Sequence, residues 1–297
     1  LFRDVFGQPM TPQLWRWKYG EGPVLATVNM VAEDARGELV GHVGATVWRG
    51  ARGDQPLRLA HACDVMVSPA VRGGLGADSV YRRLMIELDR ALHDQTPQGG
   101  PLYVYGFPGH TPARLGQRMG LYRLLGRRMA AIGPPAAPQG ALGRRWWTTC
   151  RAHEVPWDEA IARHEAWSAA VGAAAGPALR LIKDAAYMRW RYALHPTLRY
   201  RYWLLRGWAG GVRGWLVTRQ EPAPPYVVDG ALSATLPLSA ALRALAQASG
   251  IGGWWSWLPS DLPTQPTPIE AVEFSARGAF HPDWSSPLFQ PGDTDVF

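Results

Sequence analysis

Short blocks of apolar residues, separated by Gly, Pro and Asp, organise the first 132 residues. Leu1–Gly20 reads as helix, loop, helix, with Thr11 as N-cap and Pro12 in the first turn. Val24–Val31 reads as a strand, and Glu38–Trp48 as its hairpin partner across Ala35-Arg36-Gly37. Leu57–Val67 is a third β segment. From about Ala77 to Leu92 the apolar residues Val80, Leu84, Ile86, Leu88 and Leu92 follow helical spacing. Leu102–Phe107 is the next strand, broken by Pro108-Gly109. Thr111-Pro112 opens a helix that ends near Met119-Gly120, and Leu124–Ile132 closes the series as a strand.

After residue 132 the pattern pauses. Met129–Arg145 is rich in Pro, Gly and Ala, which makes 133–145 a linker. Arg144–Val155 reads as a strand, Trp157–Ala170 as a helix, and Asp184–Ala193 as a helix halted at His195-Pro196. Strands are then expected over Leu198–Arg206, Val212–Thr218 and Tyr226–Ala231, the last carrying Asp229. A helix over Leu238–Ala248, a strand over Gly253–Leu258 and a helix over Thr267–Arg277 complete the chain. Trp190-Arg191-Tyr192 parallels Trp17-Lys18-Tyr19, so the order of elements looks like a diverged repeat. The expectation is a mixed α/β fold in two domains, 1–132 and 146–297. Each would be a mostly antiparallel central sheet flanked by helices.

One stretch carries chemistry: Asp64 to Arg83, DVMVSPAVRGGLGADSVYRR. It reads as strand, glycine-rich turn and helix start. Consecutive glycines let backbone N–H groups converge, and a helix amino end adds partial positive charge, so the segment suits a phosphate or pyrophosphate. An ordinary turn needing glycine for positive φ reads the same way. A Walker A loop is excluded, because neither lysine, Lys18 or Lys183, follows glycine. The dinucleotide fingerprint fails because Ser79 stands at its last glycine place.

The stretch resembles the acyl-CoA loop of the GNAT acetyltransferases, Gln/Arg-x-x-Gly-x-Gly/Ala after a strand. Gly74 and Gly76 match, while the arginine falls one residue late, at Arg72. The order of elements over residues 1–132 is similar too. The resemblance implies that Val65, Met66 and Val67 line the pantetheine arm. It implies that Arg72, Gly73, Gly74, Leu75, Gly76 and Ala77 hold the pyrophosphate, and that His110 touches the cofactor or substrate. It also implies Asp64 as general base on the amine. In the segment from His110 to Leu121, Ala113 and Gly120 match the family, but Gln117 stands where the family has a tyrosine acid. Tyr122 is the nearest phenol that could replace it. The second repeat has Gly230 but no second glycine at the required spacing, so it should not hold a pyrophosphate.

The net charge of +7 is almost wholly arginine, which suits an acidic ligand such as CoA. The charges are scattered and Ala, Arg, Gly and Pro abound, as in a bacterial chain from a GC-rich genome; this argues against a nucleic-acid surface. Two distant cysteines, Cys63 and Cys150, fit a reducing compartment. No run of eighteen apolar residues and no secretory pattern is present, so a cytoplasmic protein without a membrane anchor is expected. No HExxH, paired cysteine or EF-hand spacing occurs, so no catalytic metal is expected; nor is there a Gly-x-Ser-x-Gly elbow. The leading reading is an N-acyltransferase that uses acetyl-CoA or another acyl-CoA on a small-molecule or peptide amine. The rivals are a Fem-type aminoacyl-tRNA-dependent transferase and a non-catalytic acyl-CoA-binding protein.

Overall fold

Thr11 opens an early helix as its sequence requires: its Oγ1 accepts the Leu14 amide at 3.1 Å, and Pro12 sits in the first turn. The computed structural model describes residues 1–72, 76, 78–95, 101–133, 150–172, 178–281 and 288–294. The linker expected at 133–145 falls outside the described residues, Gly133 excepted. The described chain forms two units. One comprises Leu1–Arg127, Pro177–Ile182 and Pro268–Leu288; the other comprises Arg128–Gly176, Lys183–Thr267 and Phe289–Phe297.

In the first unit, α1 (Phe2–Phe6) and α2 (Pro12–Tyr19) precede the antiparallel strands β1 (Ala26–Glu33), β2 (Leu39–Arg52) and β3 (Gln55–Val67). A 3-10 turn, Pro69–Val71, leads towards α3 (Val80–Gln95). β4 (Leu102–Gly106), α4 (His110–Arg118) and β5 (Tyr122–Ile132) follow. β3 and β4 run parallel, as the intervening helix allows, and pair from Arg58↔Leu102 to His61↔Tyr105. Past His61, β3 continues to Val67 beside β2. β4 ends at Gly106, so β3 runs on past the end of that ladder.

α3 turns Leu84, Met85, Leu88 and Leu92 into the core against Val43, Val47, Ala60 and Val104. Burial of each such side chain contributes about 1.5–3 kcal/mol. Ser79 caps the helix, its Oγ accepting the Arg82 amide at 3.3 Å. Gly116 of α4 lies directly on the Tyr122 ring, and a Cβ there would stand 2.1 Å from Tyr122 Cδ2.

The first unit is completed from the far end of the chain. β12 (Thr264–Phe274) pairs antiparallel with β4, Val272↔Gly106 and Glu273↔Tyr105. The helix expected over Thr267–Arg277 is thus a strand from Thr264 to Phe274. Ala271, Val272, Glu273 and Phe274 are all buried, so both faces of the strand are covered. A strand buried on both faces does not alternate, and its run of apolar residues passes for a helical pattern. A short strand missed in the sequence, β7 (Leu179–Leu181), pairs with the end of β2.

The second unit holds β6 (Arg151–Val155), α5 (Trp157–Val171), α6 (Ala185–Met188) with a π-helical turn Arg189–Ala193, β8 (Arg201–Arg206), β9 (Val212–Arg219), β10 (Tyr226–Leu232), α7 (Leu238–Ser249) and β11 (Trp255–Ser256). β6, β8, β9 and β10 are antiparallel neighbours, and β11 joins β10 in parallel. α7 packs Leu238, Leu242 and Leu245 on Trp203, Leu205, Leu216 and Trp254. Among the described residues no helix is long and apolar enough to cross a membrane.

Candidate active site

The bulge in β3 defines the site. His42 pairs with Met66 and Gly44 with Cys63, so Val43 alone faces Asp64 and Val65. Among the described residues Asp64 is the one non-glycine with a left-handed backbone, φ 49°. Aspartate tolerates this conformation better than most residues, yet it still costs about 1–3 kcal/mol. The distortion re-aims the Asp64 side chain just past the end of the β3–β4 ladder.

Three residues from two elements meet the buried Asp64. Its Oδ2 accepts the Tyr19 hydroxyl at 2.5 Å and lies 2.8 Å from Lys18 Nζ. Both partners come from the last turn of α2. The carbonyl of Asp64 accepts from His42 Nδ1 at 2.9 Å, and His42 Nε2 stands 3.2 Å from the Asn29 amide oxygen. Burial pushes the His42 imidazole below its ordinary value, so the ring is neutral near pH 7. Burial likewise raises the Tyr19 phenol far above its ordinary range and keeps it protonated. Trp15 packs on Tyr19 (ring centroids 4.4 Å apart) and edge-on to His42 (5.4 Å). Gly44 leaves room for this packing: a Cβ there would meet the Tyr19 hydroxyl.

The expected cofactor residues divide. Val65 and Val67 are half-buried and Met66 is buried, all at the end of β3. Arg72 Nε donates to the Val67 carbonyl at 2.8 Å, so this arginine folds back over the strand it follows. Gly73, Gly74, Leu75 and Ala77 lie outside the described residues. Gly76 accepts the Ser79 amide at 3.1 Å, immediately before α3 begins.

His110 and Tyr122 are engaged elsewhere in the first unit. His110 Nδ1 lies 3.0 Å from Glu270 Oε1, a carboxylate that Arg127 Nε also approaches at 3.5 Å. Tyr122 is a core residue, packed on Gly116 and edge-on to Phe274 at 6.1 Å. Burial pushes its phenol up. Gln117 is exposed and accepts from Arg114 at 3.2 Å. Among the described residues no three His, Cys, Asp or Glu side chains group to hold a metal ion.

The second unit builds the same lock. β10 carries a bulge between Val227 and Asp229. Asp229 Oδ2 accepts the Tyr192 hydroxyl at 2.7 Å, and Oδ1 lies 2.8 Å from Lys183 Nζ and accepts the Gly230 amide at 2.9 Å. Lys183 is shared with Asp293 at 2.7 Å. In each unit a Trp-x-Tyr segment sends its phenol to an aspartate on a bulged strand, beside a lysine that is largely enclosed. Sequence reasoning marked both aspartates and both Trp-x-Tyr segments. It missed that they touch, and it missed His42, Lys18, Lys183 and Asp293. The available signal was the paired recurrence itself: Tyr19 before Asp64, Tyr192 before Asp229.

No protein-family model and no curated protein matches this sequence. Solved structures do match in fold. A conserved protein of unknown function from Enterococcus faecalis, described as a probable N-acyltransferase, aligns with a TM-score of 0.59 at 14% identity. The alignment covers 91% of this chain and 67% of that one. A GCN5-related N-acetyltransferase from Anabaena variabilis gives 0.57 at 14% identity, covering 92% of this chain and 68% of that one. The chain therefore shares its fold with these proteins and spans about two thirds of their length.

Proposed function

We propose that the chain is an acyl-CoA-dependent N-acyltransferase, moving an acetyl or other acyl group from CoA to a small-molecule or peptide amine. The observation that carries this reading is the path of β3. The strand runs on past its last β4 pair at His61, bulges at Asp64, and leads through Ser68-Pro69 towards Ser79, which caps α3. The far end of β3 would supply backbone groups for the pantetheine arm, and a glycine-rich sequence before a helix amino end suits the pyrophosphate. The shared fold supports the same reading.

The amine nitrogen attacks the thioester carbon and becomes cationic. Asp64 Oδ1 takes its proton, the C–S bond breaks, and the CoA thiolate leaves and is protonated by water. Lys18 and Tyr19 hold Oδ2 and fix the carboxylate in place. Tyr122, buried against Gly116, plays the smaller part of supporting α4. The second unit is a diverged copy that lacks the phosphate loop but keeps the Asp229 lock. Cys63 and Cys150 are both buried as thiols, which suits a cytoplasmic protein.

A second reading has one observation in its favour. Asp229 likewise takes a phenol and a lysine while fully buried, so such a cluster stabilises a fold without chemistry. On that reading the chain binds acyl-CoA and transfers nothing. Titration of the full chain with acetyl-CoA, and release of free CoA thiol in the presence of an amine panel, separate the two. Transferase activity predicts one binding site per chain and amine-dependent thiol release. Asp64→Asn, which also strands the Lys18 charge and so destabilises the chain, should lower turnover per folded molecule by about 10²-fold or more with CoA affinity of the folded protein nearly intact. Binding without thiol release selects the second reading, and absence of binding overturns both.

A further inference from the structure

The second unit has a cavity of about 190 Å³ at the end of the β6–β8 pair, lined by Arg151, His153, Arg206, Gly207, Trp208 and Gly210. It is independent of the Asp64 cluster and of the function proposed for it. Arg151 and Arg206 stand directly opposite one another across the antiparallel pair. Like charges in that relation repel and weaken the ladder. None of the lining residues is acidic. The acid further along β6, Glu154, is taken by Arg201 at 3.5 Å. Among the described residues lining the cavity no carboxylate offsets this repulsion.

The turn beside the cavity is built to hold its shape. Gly207 donates to the Gly211 carbonyl at 2.9 Å and Gly210 donates to that of Gly207 at 2.9 Å. Gly210 has φ 77°, a conformation glycine adopts freely. Arg206 Nη1 closes the turn on the Gly210 carbonyl at 2.8 Å. Trp208 stands at the tip with 63% of its surface exposed, and the Arg151 guanidinium lies 4.9 Å from its ring centre. Tryptophan is seldom left so open. A large aromatic face beside two guanidinium groups offers stacking to a flat ring and paired donors to an anion.

We propose that this cavity binds a nucleoside phosphate. The base stacks on Trp208, and the phosphate lies between Arg151 and Arg206 with His153 as a further donor. A free mononucleotide and the end of a single nucleic-acid strand present this same chemistry. Isothermal titration of the full chain with guanosine 5′-monophosphate tests it; a guanine nucleotide keeps the site apart from one for the adenine nucleotide of CoA. Guanosine and inorganic phosphate, titrated separately, should each bind at least about tenfold more weakly, because each keeps half of the contacts. Arg151→Gln and Trp208→Ala, both at exposed positions, should each weaken the nucleotide by about tenfold or more with circular dichroism unchanged. A short single-stranded oligoribonucleotide that binds more tightly than the mononucleotide, and is lost in the same variants, identifies a strand end as the source; equal or weaker binding identifies the free nucleotide. No binding at millimolar guanosine 5′-monophosphate, or equal binding in both variants, overturns the proposal.

Discussion

Lys18 is the residue on which the Asp64 cluster depends most. Its ammonium is nearly enclosed and stands 2.8 Å from a buried carboxylate. Removing one partner of such a pair leaves the other charge uncompensated, at a cost of about 3–5 kcal/mol. Lys18→Met should therefore destabilise the chain by that order, read from urea unfolding midpoints. Tyr19→Phe removes one bond to a charged acceptor and should cost about 1.5–3 kcal/mol. Combining Lys18→Met with Asp64→Asn should cost clearly less than the sum of the single changes, because the second change removes the stranded charge. Strict additivity would mean that the two groups do not stabilise one another. His195 provides a pH test. Burial, then the charges of Arg191 and Arg199, push its imidazole down to about 3. Its Nδ1 accepts the amides of Thr197 at 3.2 Å and Leu198 at 3.0 Å, which only the neutral ring can do. An unfolded histidine titrates near 6.5. Between about 3 and 6.5 the unfolded chain binds the proton and the folded chain does not, so stability falls as pH drops through that window. His195→Gln lacks this titration. The stability gap between wild type and variant should narrow from pH 7 to pH 4; a constant gap would refute the assignment.

At the scale of elements, legibility followed solvent. Helices with one wet face were readable, α2 from its Thr11-Pro12 start and α3 from its apolar phase, and β2 and β3 were readable from their long runs although both faces are largely buried. The failures were elements whose pattern tertiary burial overrides. β12 has Glu270 and Glu273 buried by ion pairs, so its acids mimic the polar face of a helix. β7 has three residues, too few to carry a period. The positions of Asp64 and Asp229 were legible, but their environment was not. A bulge and a lysine from a distant helix leave no local mark in the sequence. α4 gives a test in which local and tertiary preferences oppose. Gly116→Ala should favour an isolated helix by about 1 kcal/mol. Here the new methyl group would stand 2.1 Å from the Tyr122 ring. Overpacking of this kind costs about 1–3 kcal/mol, so net destabilisation is expected. Pairing it with Tyr122→Leu should recover part of the loss in thermal unfolding. The glycine segment gives a second test: Gly74→Glu should abolish acetyl-CoA binding, and unchanged affinity would remove the phosphate loop from the proposal.

At the scale of the molecule, the order along the chain and the composition of the first unit part ways. A chain ending at Ile132 contains every residue proposed to bind CoA, yet it lacks Pro268–Leu288. Without that segment β4 loses the partner that pairs Val272 with Gly106 and Glu273 with Tyr105. Buried Val272 and Phe274 vanish from the core, and Tyr122 loses the ring packed edge-on against it. Three charged groups lose their partners as well: Asp89 loses Arg277, Arg123 loses Glu273, and Arg127 loses Glu270. An exposed strand edge beside uncovered apolar surface is a template for aggregation. The truncated chain should therefore be insoluble, or soluble without a cooperative unfolding transition, and should not bind acetyl-CoA. A version carrying residues 268–288 on a flexible linker after Arg127 should regain solubility in part, because it restores the part of β12 that pairs with β4 and the three ion pairs; it still lacks Pro177–Ile182, whose strand β7 pairs with β2. A chain ending at Ile132 that stays monomeric, melts cooperatively and binds acetyl-CoA would show that the first 132 residues fold alone and that β12 is dispensable to the proposed site.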